Sequence, residues 1–194
     1  MATIGVLALQ GDFAEHLGVL NKLGVQSREV RLPGELQGLD GLIIPGGEST
    51  TMARLMDIYS LREPVKERVR SGMTVWGTCA GLILLATKLA EDRPEPLGLM
   101  DIDVQRNGYG RQVDSFEADL PVPVLETKEA FRAVFIRAPK VLRVGKDVTV
   151  LASLSQRGEV VAAQQDGMLA TSFHPELTQD ARFHQYFLKM VGVH

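Results

Sequence analysis

Thr74-Val75-Trp76-Gly77-Thr78-Cys79-Ala80-Gly81, followed at once by Leu82-Ile83-Leu84-Leu85-Ala86, reads as a strand, a sharp turn and a helix. Cys79 is the only cysteine of the chain and sits at the turn, with a glycine two residues to either side. This is the G-x-S-x-G spacing of a nucleophile elbow, with sulfur in place of oxygen. A nucleophile held in a strained turn at a strand's C-terminal end needs neighbours without side chains. The turn packs against the strand, and substrate must reach the sulfur. The same turn sets Cys79 at a helix N-terminus, where unpaired N–H groups favour a thiolate over a thiol. A lone cysteine is also commonly a small buried hydrophobe, so the reading requires a base from elsewhere in the chain.

Upstream of the elbow, strands and helices alternate. Thr3 to Leu9 is a short apolar run that ends in Gln10-Gly11-Asp12, a buried strand leading into a turn. Ala14, Leu17, Leu20 and Leu23 recur at helical spacing up to Gly24. Val25 to Leu32 reads as a second strand and Gly41-Leu42-Ile43-Ile44 as a third. A helix through Met52, Leu55, Met56 and Tyr59 follows, then one opened by Pro64 as its first residue, with Val65 and Val69 inward. This rhythm predicts right-handed crossovers and a parallel sheet covered on both faces.

From about Leu97 the rhythm changes. Ile102–Arg106, Phe116–Leu120, Ala133–Ile136, Val148–Leu151, Val160–Gln164 and Met168–Phe173 are strand-like without long helices between them, with Asp166-Gly167 as a hairpin turn. A final helix over Asp180 to Val191 carries Phe183, Phe187, Met190 and Val191 on one face. The predicted architecture is α/β: a three-layer α/β/α sandwich with a mostly parallel central sheet and added antiparallel strands in the C-terminal half.

The length of 194 residues suits one domain, 1–194, and a net charge of −3 leaves no electrostatic footprint for nucleic acid. One cysteine excludes an internal disulfide framework. The start Met1-Ala2-Thr3-Ile4-Gly5-Val6 lacks the basic flank and apolar region of a signal peptide, and no apolar run approaches the ~18 residues of a membrane span. A cytoplasmic location with no membrane partner is expected.

Cysteine catalysis needs an imidazole to take the thiol proton and later return one to the leaving group, and the imidazole needs an orienting acceptor. Of the four histidines, His16, His184 and His194 read as surface or packing residues. His174 follows the strand ending at Phe173, and so stands at a strand's C-terminal edge, where open α/β sheets gather their sites. In an extended segment, positions i and i+2 share a side, so Glu176 is placed to bond the far nitrogen of His174. Cys79, His174 and Glu176 then form a triad. Pro45-Gly46-Gly47-Glu48-Ser49 follows a buried strand, and its two glycines let backbone amides face a pocket. The Gly47 and Ala80 N–H groups are the expected oxyanion donors. The loop lacks the Lys-Ser/Thr ending of a phosphate loop, and no histidine and cysteine spacing supports a metal site.

Gly77-Thr78-Cys79-Ala80-Gly81, Pro45-Gly46-Gly47-Glu48 and His174-Pro175-Glu176 together resemble the class I, triad-type glutamine amidotransferases. Pro45 to Thr51, Arg106-Asn107, the stretch 110–117 (Gly-Arg-Gln-Val-Asp-Ser-Phe-Glu) and Phe135-Ile136-Arg137-Ala138-Pro139 narrow the likeness to the glutaminase subunits of pyridoxal 5′-phosphate synthases. The resemblance runs over essentially the whole chain. It implies hydrolysis of L-glutamine to glutamate and ammonia through a γ-glutamyl thioester on Cys79. It also implies that Gly47, Glu48, Ser49, Arg106, Ile136 and Arg137 contact substrate, and that no cofactor is needed. The implied partner is a (β/α)8-barrel synthase subunit assembled into a large hetero-oligomer. The residues leave other readings open: a glutaminase serving another synthase, a cysteine hydrolase or stress protein of the same fold, or a non-catalytic regulatory partner.

Overall fold

The computed structural model describes residues 2–109, 115–154 and 158–193. Residues 110–114 of the 110–117 motif and the terminal His194 lie outside them. In chain order the elements are β1 (Thr3–Leu7), α1 (Phe13–Lys22), β2 (Gln26–Val30), β3 (Gly41–Ile44), α2 (Ser49–Ile58), α3 (Arg62–Arg70), β4 (Thr74–Thr78) and α4 (Ala80–Leu85). They continue as β5 (Ala86–Leu89), β6 (Met100–Gln105), β7 (Ser115–Leu120), β8 (Phe131–Ile136), β9 (Lys140–Val144), β10 (Thr149–Leu154), β11 (Glu159–Gln165), β12 (Met168–Thr171) and α5 (Arg182–Val191).

The main sheet has seven strands in the order β10-β11-β12-β4-β3-β1-β2. β2, β1, β3, β4 and β12 run parallel, and β11 is antiparallel to both its neighbours. A three-stranded sheet, β5-β6-β9, and the β7–β8 hairpin are added to it. The expected mostly parallel α/β architecture is therefore present. Its decisive join is β12, a strand from the C-terminal half that enters the parallel set beside β4. Thr171 pairs with Thr78, and the Cys79 amide donates to the Thr171 carbonyl at 2.8 Å. The chain thus leaves β4 and β12 at the same sheet edge.

Both faces of the central strands are dry, which is why these strands read as unbroken apolar runs. Leu42, Ile44 and Val75 face α2, α3 and α4, meeting Met52, Met56, Val65 and Leu84. Ile43, Trp76 and Leu169 face the other way, onto Leu20 of α1, Phe183 and Phe187 of α5, and Phe131 and Phe135 of β8. Trp76 is fully buried, and its indole N–H donates to the Thr171 hydroxyl at 3.2 Å.

Some boundaries differ from expectation for identifiable reasons. The apolar run after the elbow splits at Ala86: α4 lasts six residues, all buried, and the backbone turns extended at ψ 153 to begin β5. A helix apolar on every side has no periodicity to mark its end. Lys140–Val144 was not expected as a strand because its charges hide the pattern. There Arg143 pairs with Asp101 and with Asp103 of β6. α3 begins at Arg62, so Pro64 is its third residue; this is tolerated because a helix's first amides have no intrahelical acceptor. The Asp166-Gly167 hairpin joins β11 to β12 as expected, with Asp166 at φ +49.

Candidate active site

Cys79 is held between β4 and α4 at φ +48, ψ −99, a backbone region that costs an ordinary residue about 1–3 kcal/mol. The flanking glycines explain how the elbow closes. A Cβ on Gly81 would lie 2.0 Å from the Ile44 carbonyl oxygen of β3, and one on Gly77 would lie 2.5 Å from the Gly81 carbonyl. Only hydrogen fits at either place, so the Gly-x-Cys-x-Gly spacing is dictated by backbone meeting backbone. The sulfur is nearly buried, and Sγ lies 3.8 Å from the Ile136 carbonyl oxygen.

His174 follows β12, and its amide donates to the Val134 carbonyl of β8 at 2.8 Å. Pro175 then opens a short 3₁₀ turn, Pro175–Leu177, that folds Glu176 back under the ring. Nδ1 of His174 lies 2.8 Å from Glu176 Oε1 and 3.3 Å from Asp12 Oδ2. The two carboxylates and the ring bring their polar atoms within 4.8 Å of one another, and both acids compete for one ring N–H. Burial opposes charge on His174, but hydrogen bonds with Asp12, Cys79 and Glu176 outweigh it and push its pKa up to about 12. An imidazolium therefore faces the sulfur at neutral pH. Burial pushes the Glu176 carboxyl up, while its bond to His174 pulls it down.

Above the sulfur is a cavity of about 390 Å³, lined by Cys79, His174, Gly47, Glu48, Ser49, Arg106, Ile136 and Arg137, among others. Each of those residues was singled out from the sequence. Ala80 is buried at the first position of α4, and Gly47 adopts φ +146, open only to glycine. Glu48 caps α2 by accepting from the Thr50 and Thr51 amides at 3.0 and 2.6 Å, and its Oε1 lies 3.2 Å from Arg106 NH2. Partial burial raises its pKa, but the Thr51 hydroxyl and the two amides prevail and hold it at about 2.

A cap of this kind contributes about 1 kcal/mol. Because the folded pKa is depressed, the contribution is present above the ordinary carboxylate value of 4.5 and fades as pH falls toward 2. Glu48→Ala should lower the melting temperature by about 2–4 °C at pH 7 and by less at pH 3, as read by calorimetry at the two pH values. An equal loss at both would contradict the cap.

The sequence reading passed over several residues here. Gln10 lines the cavity and accepts from the Glu48 amide at 2.8 Å, and Asp12 serves His174. Both stand in the turn after β1, at the sheet edge that drew attention to His174, so the same rule was available to find them. Of the surface-or-packing reading of His16 and His184, packing is what the structure shows. Both are fully buried, with His16 Nε2 3.4 Å from Glu176 Oε2. Among the described residues, no helix is long and apolar enough to cross a membrane.

A family model described as the SNO glutamine amidotransferase family matches residues 6–193. A protein of Herpetosiphon aurantiacus named pyridoxal 5′-phosphate synthase subunit PdxT is 57% identical over 189 residues, covering 96% of this chain and 98% of that one. A Roseiflexus protein of the same name is 55% identical, covering 97% and 100%. A crystal structure titled as a glutamine amidotransferase superposes with a TM-score of 0.90 at 48% identity, covering 98% of this chain and 99% of that one. With a family match over residues 6–193 and relatives more than half identical over nearly the full length, this chain belongs to the SNO glutamine amidotransferase family.

Proposed function

We propose that the chain, as one domain over 1–194, is the glutaminase subunit of a pyridoxal 5′-phosphate synthase and supplies it with ammonia for vitamin B6 biosynthesis. The observation that carries this is the line Cys79, His174, Glu176 beneath a cavity of amino-acid size. The subunit name of its relatives supports the setting.

The Cys79 thiolate attacks the side-chain amide carbon of L-glutamine, and the carbonyl electron pair moves to oxygen, facing the Gly47 and Ala80 amides. The His174 imidazolium gives its proton to the amide nitrogen. The C–N bond then breaks, ammonia leaves and a γ-glutamyl thioester remains. Now neutral, His174 takes a proton from water, whose oxygen attacks the thioester. Glutamate departs, the thiolate returns and the ring is charged again. Glu176 keeps Nδ1 protonated, so that Nε2 performs both transfers.

Glu48 and Arg106 supply opposite charges on one wall, and Arg137 a further cation, the set needed by a zwitterionic amino acid. Ser49 and Ile136 complete the wall. Ammonia released into water would be protonated, so the subunit docks on a (β/α)8-barrel synthase subunit of a large hetero-oligomer. We place both in the cytoplasm, where a lone catalytic thiol stays reduced.

The test is glutamate release from L-glutamine with and without the synthase subunit. Glutamate should form, and faster with the synthase bound, because the Gly46-Gly47 pair leaves the oxyanion amide free to turn. No glutamate in the assembled complex would refute the glutaminase reading. Equal turnover in both states would remove the activation.

A further inference from the structure

Behind the triad, and out of reach of the cavity, two histidines from opposite ends of the chain form a buried hydrogen-bonded pair. His16 of α1 and His184 of α5 are both fully buried, with His16 Nδ1 3.0 Å from His184 Nε2. The other nitrogen of His16 lies 3.2 Å from the Thr78 hydroxyl, one residue before the nucleophile, and 3.4 Å from Glu176 Oε2. Thr78 takes the hydrogen bond of this nitrogen; among the described residues neither Glu176 Oε2 nor His184 Nδ1 has a hydrogen-bond partner, and His16 Nε2 is the N–H position beside that oxygen.

These two ends choose one arrangement of protons. An N–H at His184 Nδ1 would be a buried orphan donor, so that nitrogen carries the lone pair and Nε2 carries the hydrogen. His184 Nε2–H then donates to His16 Nδ1, which puts the His16 hydrogen on Nε2. The opposite arrangement would aim a His16 lone pair at a buried carboxylate oxygen and add repulsion. Burial, then His184 and His174, hold the pKa of His16 far below its ordinary value, and burial takes His184 to about 4. Both rings are neutral, so the pair serves by a fixed dipole.

We propose that His16 is a positioning residue of the triad: its Nε2–H, bonded to the Thr78 hydroxyl, also sets the positive end of its dipole 3.4 Å from the outer oxygen of Glu176, and His184 fixes the tautomer that makes this N–H available. The proposal rests on the glutaminase reading for its kinetic consequence and on the hydrogen-bond geometry alone for the tautomer. The groups facing Glu176 are His174 at Oε1, His16 at Oε2 and the Asp12 carboxylate beyond the His174 ring, which in turn faces Cys79. Removing His16 takes away the N–H dipole beside a buried carboxylate oxygen that has no hydrogen bond of its own. The carboxylate becomes easier to protonate, and the acid limb of activity moves to higher pH.

Two measurements test this, with the wild-type complex as control. Nitrogen-15 NMR of the unmodified protein should show His16 protonated at Nε2 and accepting at Nδ1; the Nδ1–H tautomer overturns the assignment without reference to activity. In the synthase complex, His16→Leu should lower kcat for glutamine about tenfold with KM within about twofold, and raise the acid-limb pKa by half a unit or more. His16→Gln, which keeps a donor and an acceptor, should restore kcat to within about threefold and return the limb to its wild-type position. If both variants lose thermal stability but keep the wild-type limb, His16 only fills space and the proposal fails. A wild-type complex without turnover refutes the glutaminase reading instead, and the tautomer still decides the role of His16.

Discussion

Replacing Cys79 with alanine is expected to cut glutamine-dependent ammonia release by at least about a thousandfold while the protein stays folded and bound to its synthase. The loss is large because both covalent steps pass through the sulfur, and no neighbouring group can form the thioester. The fold should survive because one sulfur atom is removed from a nearly buried site, and alanine meets the same positive-φ strain that cysteine already bears. The melting temperature should fall by no more than about 4 °C. Since Cys79 and His174 act as a unit, the double variant with His174→Ala should be about as slow as Cys79→Ala alone. Coupled detection of ammonia and scanning calorimetry check the two halves. Retention of a tenth of the wild-type rate would contradict the nucleophile assignment.

Gly81→Ala should be nearly as damaging by a different route. Its new methyl would sit 2.0 Å from the Ile44 carbonyl oxygen, and because backbone lies on both sides, neither can yield without moving β3 or α4. Overpacking of this kind costs about 3 kcal/mol, or about 6–12 °C in melting temperature at this chain length. The displacement falls on the turn that aims the sulfur, where an error of about 1 Å costs roughly a hundredfold in rate. Gly18→Ala is the matched control. Gly18 lies in α1 with nothing within 4 Å of its missing Cβ, so alanine there should stabilise by about 0.5–1 kcal/mol. If the two substitutions shift the melting temperature in the same direction, the steric account of the elbow fails.

The difference between what was readable in the chain and what was not lies in the range of the interactions. The elbow was legible because its cause is local: the two glycines lie within two residues of Cys79, and the packing that demands them leaves a mark in the spacing. The His174–Glu176 contact was legible because the two residues lie two apart, but it is the 3₁₀ turn Pro175–Leu177, not the extended backbone the sequence suggested, that brings them together. The pairing of β12 with β4 brings the two motifs together, yet it joins Leu169 to Trp76 across nearly half the chain. Only the shared sheet-edge argument hinted at it.

His16 and His184 show the limit most clearly. His16 precedes Leu20 by one helical turn, and His184 precedes Phe187 and Leu188 by one turn, so both lie on inward faces. Periodicity therefore implied burial for each. It carried no sign that two rings 168 residues apart bond to each other, nor that one of them lies 3.4 Å from the Glu176 carboxylate. Polar side chains on an inward face declare that they have partners without declaring which ones.

The most direct test of the central claim is covalent capture of the nucleophile. The complex with its synthase is incubated with a diazoketone analogue of L-glutamine, digested and analysed by mass spectrometry. One adduct per chain on Cys79, blocked by excess glutamine and accompanied by loss of ammonia release, is the predicted result. An unmodified Cys79, or loss of activity through an adduct elsewhere, would contradict it.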